Sequence, residues 1–217
     1  MNDKKSYLCK QIHIKRVFLL FIKNRMTMKK FLLMAIVMMV SKSTFAQRET
    51  GAITLQPRLS IVAADFNNTS DTEARVGLAA GAEAEYYVSP SFGLSAGLFY
   101  AQEGAKLKDL DVTWKLDYLN VPIMANFYVW KGLALKAGLQ PGFKVSSSMS
   151  SSKSSVKIDE GVNTFDLSVP FGLSYDFGRV CVDARYTLGL TKTFKGKEFD
   201  SKNITFQLGV GYKFSLK

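Results

Sequence analysis

The chain has 217 residues and a formal net charge of +11, a length that allows one folded domain and a processed leader. Ten of the 29 Lys and Arg, but only Asp3 of the 18 acidic residues, precede Gln47, so residues 47–217 carry just +2. The basic balance therefore belongs to the leader, and it gives no support to nucleic-acid binding by the rest.

Lys29 and Lys30 precede an unbroken apolar run, Phe31–Val40, which ends in a polar stretch closed by Thr44-Phe45-Ala46. A basic start, a short apolar segment and a small residue at the cleavage point predict a signal peptide over about 28–46. Ten apolar residues fall short of the roughly 20 that a helical span requires. No Cys follows the run to carry an acyl anchor. Residues 1–25 stand ahead of a leader already complete from Met26 or Met28, so the expected start is one of those methionines, the extension being a mis-assigned start, with a long double leader as the alternative. The expected division is a leader over 1–46 and a β-barrel domain over 47–217.

From Ile53 onward apolar residues recur at every second position, the signature of strands with one apolar face. Eight segments show it: Ile53–Val62, Val76–Tyr87, Phe92–Ala101, Tyr118–Tyr128, Leu133–Gln140, Phe165–Tyr175, Val180–Thr191 and Ile204–Leu216. The connections alternate. Ser89-Pro90, Trp130-Lys131-Gly132 and Phe177-Gly178 are short, while Asp65–Ala74, Gly104–Thr113, Ser146–Asn163 and Phe194–Asn203 are long and polar. Short turns on one side and long loops on the other predict an all-β, eight-stranded antiparallel up-and-down transmembrane barrel. The second parity is rich in Gly and Ser with a few ions, which suits a crowded interior better than a water-facing surface. Tyr86, Tyr100, Phe127, Tyr175, Phe177, Tyr212 and Phe214 lie toward strand ends, as an interfacial girdle does. Pro57, Pro122, Pro141 and Pro170 fall inside strand segments, where each removes a ladder donor; strand ends or bulges are expected there.

Several blocks resemble the PorT-like family of outer-membrane β-barrels of Bacteroidetes. They are Glu85-Tyr86-Tyr87 before Ser89-Pro90, Phe92–Tyr100, Leu119-Asn120-Val121-Pro122, Leu135–Gly142, Asp183–Leu190 and Gly209–Phe214. The resemblance implies a barrel in the outer membrane of a Gram-negative bacterium of that phylum, in contact with outer-membrane lipid and inserted by the barrel assembly machinery. It also brings in, as an alternative role, an accessory component of a protein secretion system.

The inward parity places Arg58, Glu83, Glu85, Lys136, Asp183 and Arg185 in the lumen as a candidate charge network, with Glu103 and Asp117 nearer the long-loop rim. Ions in a crowded interior must pair, so a closed structural network is expected ahead of a conduit. The Ser-rich stretch from Ser146, continuing through Lys153, Lys157, Asp159 and Glu160, predicts a mobile surface loop; those four charged residues are its candidate contacts with an envelope partner. Chemistry has little to work with. The only His is His13, in the leader, and Cys181 is the one Cys after residue 46. No Ser–His machinery, cofactor site or calcium-loop spacing is expected. The expected role is structural or interactive within the cell envelope and not catalytic, with a narrow porin-like conduit for small solutes as the alternative.

Overall fold

The alternation of side chains is realised as paired strand along the whole domain. The computed structural model describes residues 49–67, 72–107, 112–151, 161–194 and 201–216, together with the backbone of 154–157. All belong to one compact unit, Thr44–Lys217. The leader and its expected cleavage site lie outside the described residues.

Eleven strands form one sheet: β1 (Ile53–Phe66), β2 (Thr72–Ser89), β3 (Phe92–Leu107), β4 (Val112–Asn120), β5 (Ile123–Trp130), β6 (Leu133–Ser151), β7 (Ser154–Lys157), β8 (Phe165–Phe177), β9 (Val180–Gly189), β10 (Asn203–Tyr212) and β11 (Phe214–Ser215). Every pairing is antiparallel; β3 pairs with both β4 and β5, β6 takes both of these on one side and β8 on the other, and β10 and β11 return to β1, so the hydrogen-bonded ring closes. Closure leaves no edge along the ring and satisfies backbone groups without water. Among the described residues no helix is long and apolar enough to cross a membrane.

Each in-strand proline sits at a break in the ladder. Val121-Pro122 separates β4 from β5, opposite Pro141 of β6, and the break is bridged by Val121 N–H donating to the Pro141 carbonyl at 2.8 Å. Pro122 in turn accepts from Gly97 N–H at 3.0 Å. Pro170 falls where the β6–β8 register is interrupted, between Ala137↔Phe171 and Gln140↔Ser168. Pro57 faces the junction of β10 and β11 at Lys213. A residue without an N–H is tolerated where no partner asks for one.

Three of the four long connections are shorter than the sequence predicts, while β9 ends at Gly189, ahead of the expected Thr191. β1 runs to Phe66, β2 starts at Thr72, β3 reaches Leu107 and β4 starts at Val112. The expected loop Ser146–Asn163 is corrected furthest: Ser146–Ser151 continue β6, pair with Val112–Asp117, and take β7 as a hairpin partner. Beneath these extensions Phe66, Ala105, Leu116, Tyr118 and Val162 form an apolar cluster with Trp114 and Phe194, and this packing holds Ser-rich backbone in strand.

Burial is inverted relative to a water-soluble sheet. Leu59, Ile61, Leu98, Leu208 and Val210 are each more than half exposed, while Arg58, Glu83, Lys136, Asp183 and Arg185 are at most 5% exposed. The apolar parity forms an outward belt, and the polar parity fills the inside. Phe92–Phe127, Tyr175–Phe177 and Tyr212–Phe214 pair as aromatic neighbours at 4.5–4.8 Å near the short-turn end.

Candidate functional site

The interior is built from strand parity, one inward residue at every second position, and it sorts into three polar layers. The middle layer holds five of the six lumen ions named from sequence. Arg58 (β1), Glu83 (β2), Lys136 (β6), Asp183 and Arg185 (β9) converge, with Lys136 and Arg185 on Glu83 at 3.1 and 3.2 Å and Arg58 on Asp183 at 3.1 Å. Longer contacts of 3.6–3.7 Å close the cluster, from Arg185 and Lys136 to Asp183 and from Arg58 to Glu83. Each anion meets three cations, which is how charges so deeply buried are kept ionised.

Room for Arg58 comes from missing side chains. Its guanidinium carbon lies 4.3 Å from the centre of the Phe99 ring. A Cβ on Gly81 or Gly97 would stand 2.6–2.7 Å from that ring, and one on Gly209 would stand 3.1 Å from the Arg58 Cδ. Glycine at these inward positions is thus a packing requirement of the Arg58–Phe99 stack.

Glu85, the sixth ion, belongs to a lower layer near the short turns. Lys213 Nζ contacts Asp176 at 2.9 Å and Glu85 at 3.2 Å. Glu85 also accepts from the Tyr128 hydroxyl at 2.7 Å, Asn126 Nδ2 at 2.8 Å and the Tyr87 hydroxyl at 3.1 Å. Tyr87, Tyr128 and Ala134, with Ala52 packed on them, seal this end.

The upper layer lies under the apolar cluster at the long-loop end. Glu103 (β3) accepts from Asn120 Nδ2 at 2.8 Å and Asn203 Nδ2 at 2.6 Å, while Asp166 (β8) accepts from the Thr191 hydroxyl at 2.9 Å. Asp117, expected at the rim, faces outward instead; the Tyr100 hydroxyl donates to it at 2.7 Å and Arg75 lies 3.9 Å away. Arg75 also donates to the Glu103 carbonyl oxygen, filling a bulge between β2 and β3.

Lys153, Asp159 and Glu160 lie outside the described residues, and Lys157 is placed only as backbone in β7. Lys213, Asp176, Asp166, Asn120 and Asn203 were missed from sequence. Their signal was available: Lys213 continues the parity of Gln207, Gly209 and Gly211, and Asp166 and Asp176 share that of Ser168 and Ser174. Among the described residues no group of three or more His, Cys, Asp or Glu converges, and Cys181 is a buried free thiol.

A closed antiparallel ring with an apolar outer belt and an ionic interior defines a small membrane-spanning β-barrel of the outer-membrane class. Residues 45–195 match the family described as outer membrane protein beta-barrel domain, and the chain belongs to that family. Among solved structures it is similar to Neisserial surface protein A, with 17% identity and a TM-score of 0.51 over 76% of this chain and 99% of that one. It is also similar to Ail, the attachment invasion locus protein of Yersinia pestis, in its complex with sucrose octasulfate, with 18% identity and a TM-score of 0.50 over the same shares. At these identities the likeness is one of fold. No curated protein matches the chain. The protein is a small outer-membrane β-barrel of a Gram-negative bacterium.

Proposed function

We propose that the mature protein is an eight-walled up-and-down barrel whose filled interior makes it a structural or surface-contact component of the envelope, not a conduit. β4 and β5 share one wall, β10 and β11 share another, and β7 stands off the ring. The observation that carries the reading is the stack of buried ionic layers, sealed by Tyr87 and Tyr128 at one end and by Phe66, Leu116, Tyr118 and Val162 at the other. Eight walls enclose a space that side chains can fill. Purified protein in planar bilayers is expected to give no steady conductance; large, stable single-channel steps would overturn the closed reading and favour the porin-like alternative.

The finer kinship with PorT-like proteins of Bacteroidetes rests on the sequence blocks from Glu85 to Phe214. An accessory role in protein secretion then predicts that deleting the gene abolishes export of surface proteins; unchanged export would remove that role. Delivery by a signal peptide over 28–46 and insertion by the assembly machinery belong to the same reading. Intact-mass measurement of membrane-extracted protein is expected to show a chain beginning at Gln47, and a retained apolar run would refute cleavage there.

A further inference from the structure

The charges of the interior do not balance evenly along the barrel. The three cations and two anions of the middle layer offset the one cation and two anions of the lower layer. Glu103 and Asp166 remain, 4% and 9% exposed, with no Lys or Arg side chain in ion-pair contact among the described residues. At this end Lys144 donates to the Val162 carbonyl at 3.2 Å, and Arg75 contacts the outward Asp117 and the Glu103 backbone. Two buried carboxylates with no ion-pair partner among the described residues are costly, whereas Glu83, Glu85, Asp176 and Asp183 each have one.

A second feature of the same chamber points to what fills it. Asn203, 4% exposed, reaches Glu103 with Nδ2 while its Oδ1 has no partner. One row below, the hydroxyls of Thr205 and Thr187 face each other across β10 and β9, buried and also without partners. Two inward positions are glycine. Gly142 lies in register between Asn120 and Asp166, and the Asn120 Oδ1 occupies the place of its Cβ; at Gly189 the Asn203 backbone packs close, 2.7–2.9 Å from where a Cβ would stand. The upper layer thus holds two carboxylates, the Asn120 Oδ1 beside Gly142, the unpartnered Asn203 Oδ1 and two unpartnered hydroxyl oxygens.

We propose that this chamber binds a small, hard divalent cation of calcium's class, held only by oxygen and drawn from β3, β4, β8 and β10. Its double charge matches the two unbalanced carboxylates. Calcium accepts roughly six to eight oxygen ligands, neutral ones included, in irregular geometry, whereas magnesium asks for a near-ideal octahedron. Spacing along the sequence could not reveal such a site, because its ligands come from four strands. The ion would tie the walls together under the apolar cap, at the end where the barrel meets the outside.

The test uses membrane-extracted protein in detergent, stripped with chelator and titrated with calcium chloride, then with terbium chloride as a luminescent substitute. Binding is expected to raise the unfolding temperature. Excitation of the neighbouring Trp114 and Tyr118 should sensitise terbium emission that calcium displaces. Glu103→Gln and Asp166→Asn should each weaken binding by about tenfold or more, since affinity at oxygen sites follows ligand charge. Glu73→Gln, exposed on β2 at the same end, should keep the wild-type response. Displacement in the wild-type protein serves as the readout if a variant fails to fold. No stabilisation by calcium and no displaceable emission would overturn the proposal, as would an unchanged response in both Glu103→Gln and Asp166→Asn.

Discussion

Asp183 and Arg185 are neighbours on one inward face, and each also has partners on other walls, Arg58 and Lys136 for the aspartate and Glu83 for the arginine. Removing either leaves charges buried that the other had neutralised. Asp183→Ala or Arg185→Ala is expected to destabilise the folded barrel by about 3–5 kcal/mol, measured by reversible denaturation in detergent or lipid. Val182, between them, points the other way and is 40% exposed. Val182→Arg therefore leaves the network intact and places a charge against lipid, at a cost of about 2–4 kcal/mol near mid-membrane. Equal tolerance of Asp183→Ala and Val182→Arg would reverse the assignment of inside and outside.

Among the elements, the prolines separate strand continuity from strand pairing. Pro57 lies at the β10–β11 junction, so Pro57→Ala restores a donor that nothing requires and is expected to cost only about 0.4–1 kcal/mol through unfolded-chain freedom. Gln207 pairs with Val62 on one side and Arg185 on the other. Gln207→Pro should block refolding, read as loss of the heat-modifiable folded band on a gel. Much of this level was legible in the sequence, because side-chain parity is a local property: the outward Leu208 and Val210 and the inward Gln207 and Gly209 follow from alternation alone. Cross-strand partners were not legible. The stagger between walls brings Glu85 to Lys213 and Asp176, 128 and 91 positions along the chain, and keeps it from the ionic cluster joined by Glu83, two residues away on its own strand. The Ser146–Ser151 extension was hidden for a similar reason. Its composition reads as loop, and only its register with Val112–Asp117 over the Phe66–Leu116–Phe194 cluster explains the strand.

For the molecule as a whole, one inversion accounts for the rest. A water-soluble barrel of the same strands would bury Leu98, Leu135 and Leu208 and expose Arg58, Glu83 and Lys136; here the leucines are 46–52% exposed and the ions are shielded. The outward belt is stable only against hydrocarbon, and the ions are stable only against one another. The most direct measurement is therefore made from the outside. Spin labels at Leu98, Leu135 and Leu208, one on each of three walls and in a Cys181→Ala background, can be read in liposomes by collision with oxygen, which concentrates in lipid, and with a water-soluble nickel chelate. The inverted barrel predicts high oxygen and low chelate accessibility at all three positions. High chelate accessibility, or labels buried from both reagents, would contradict it.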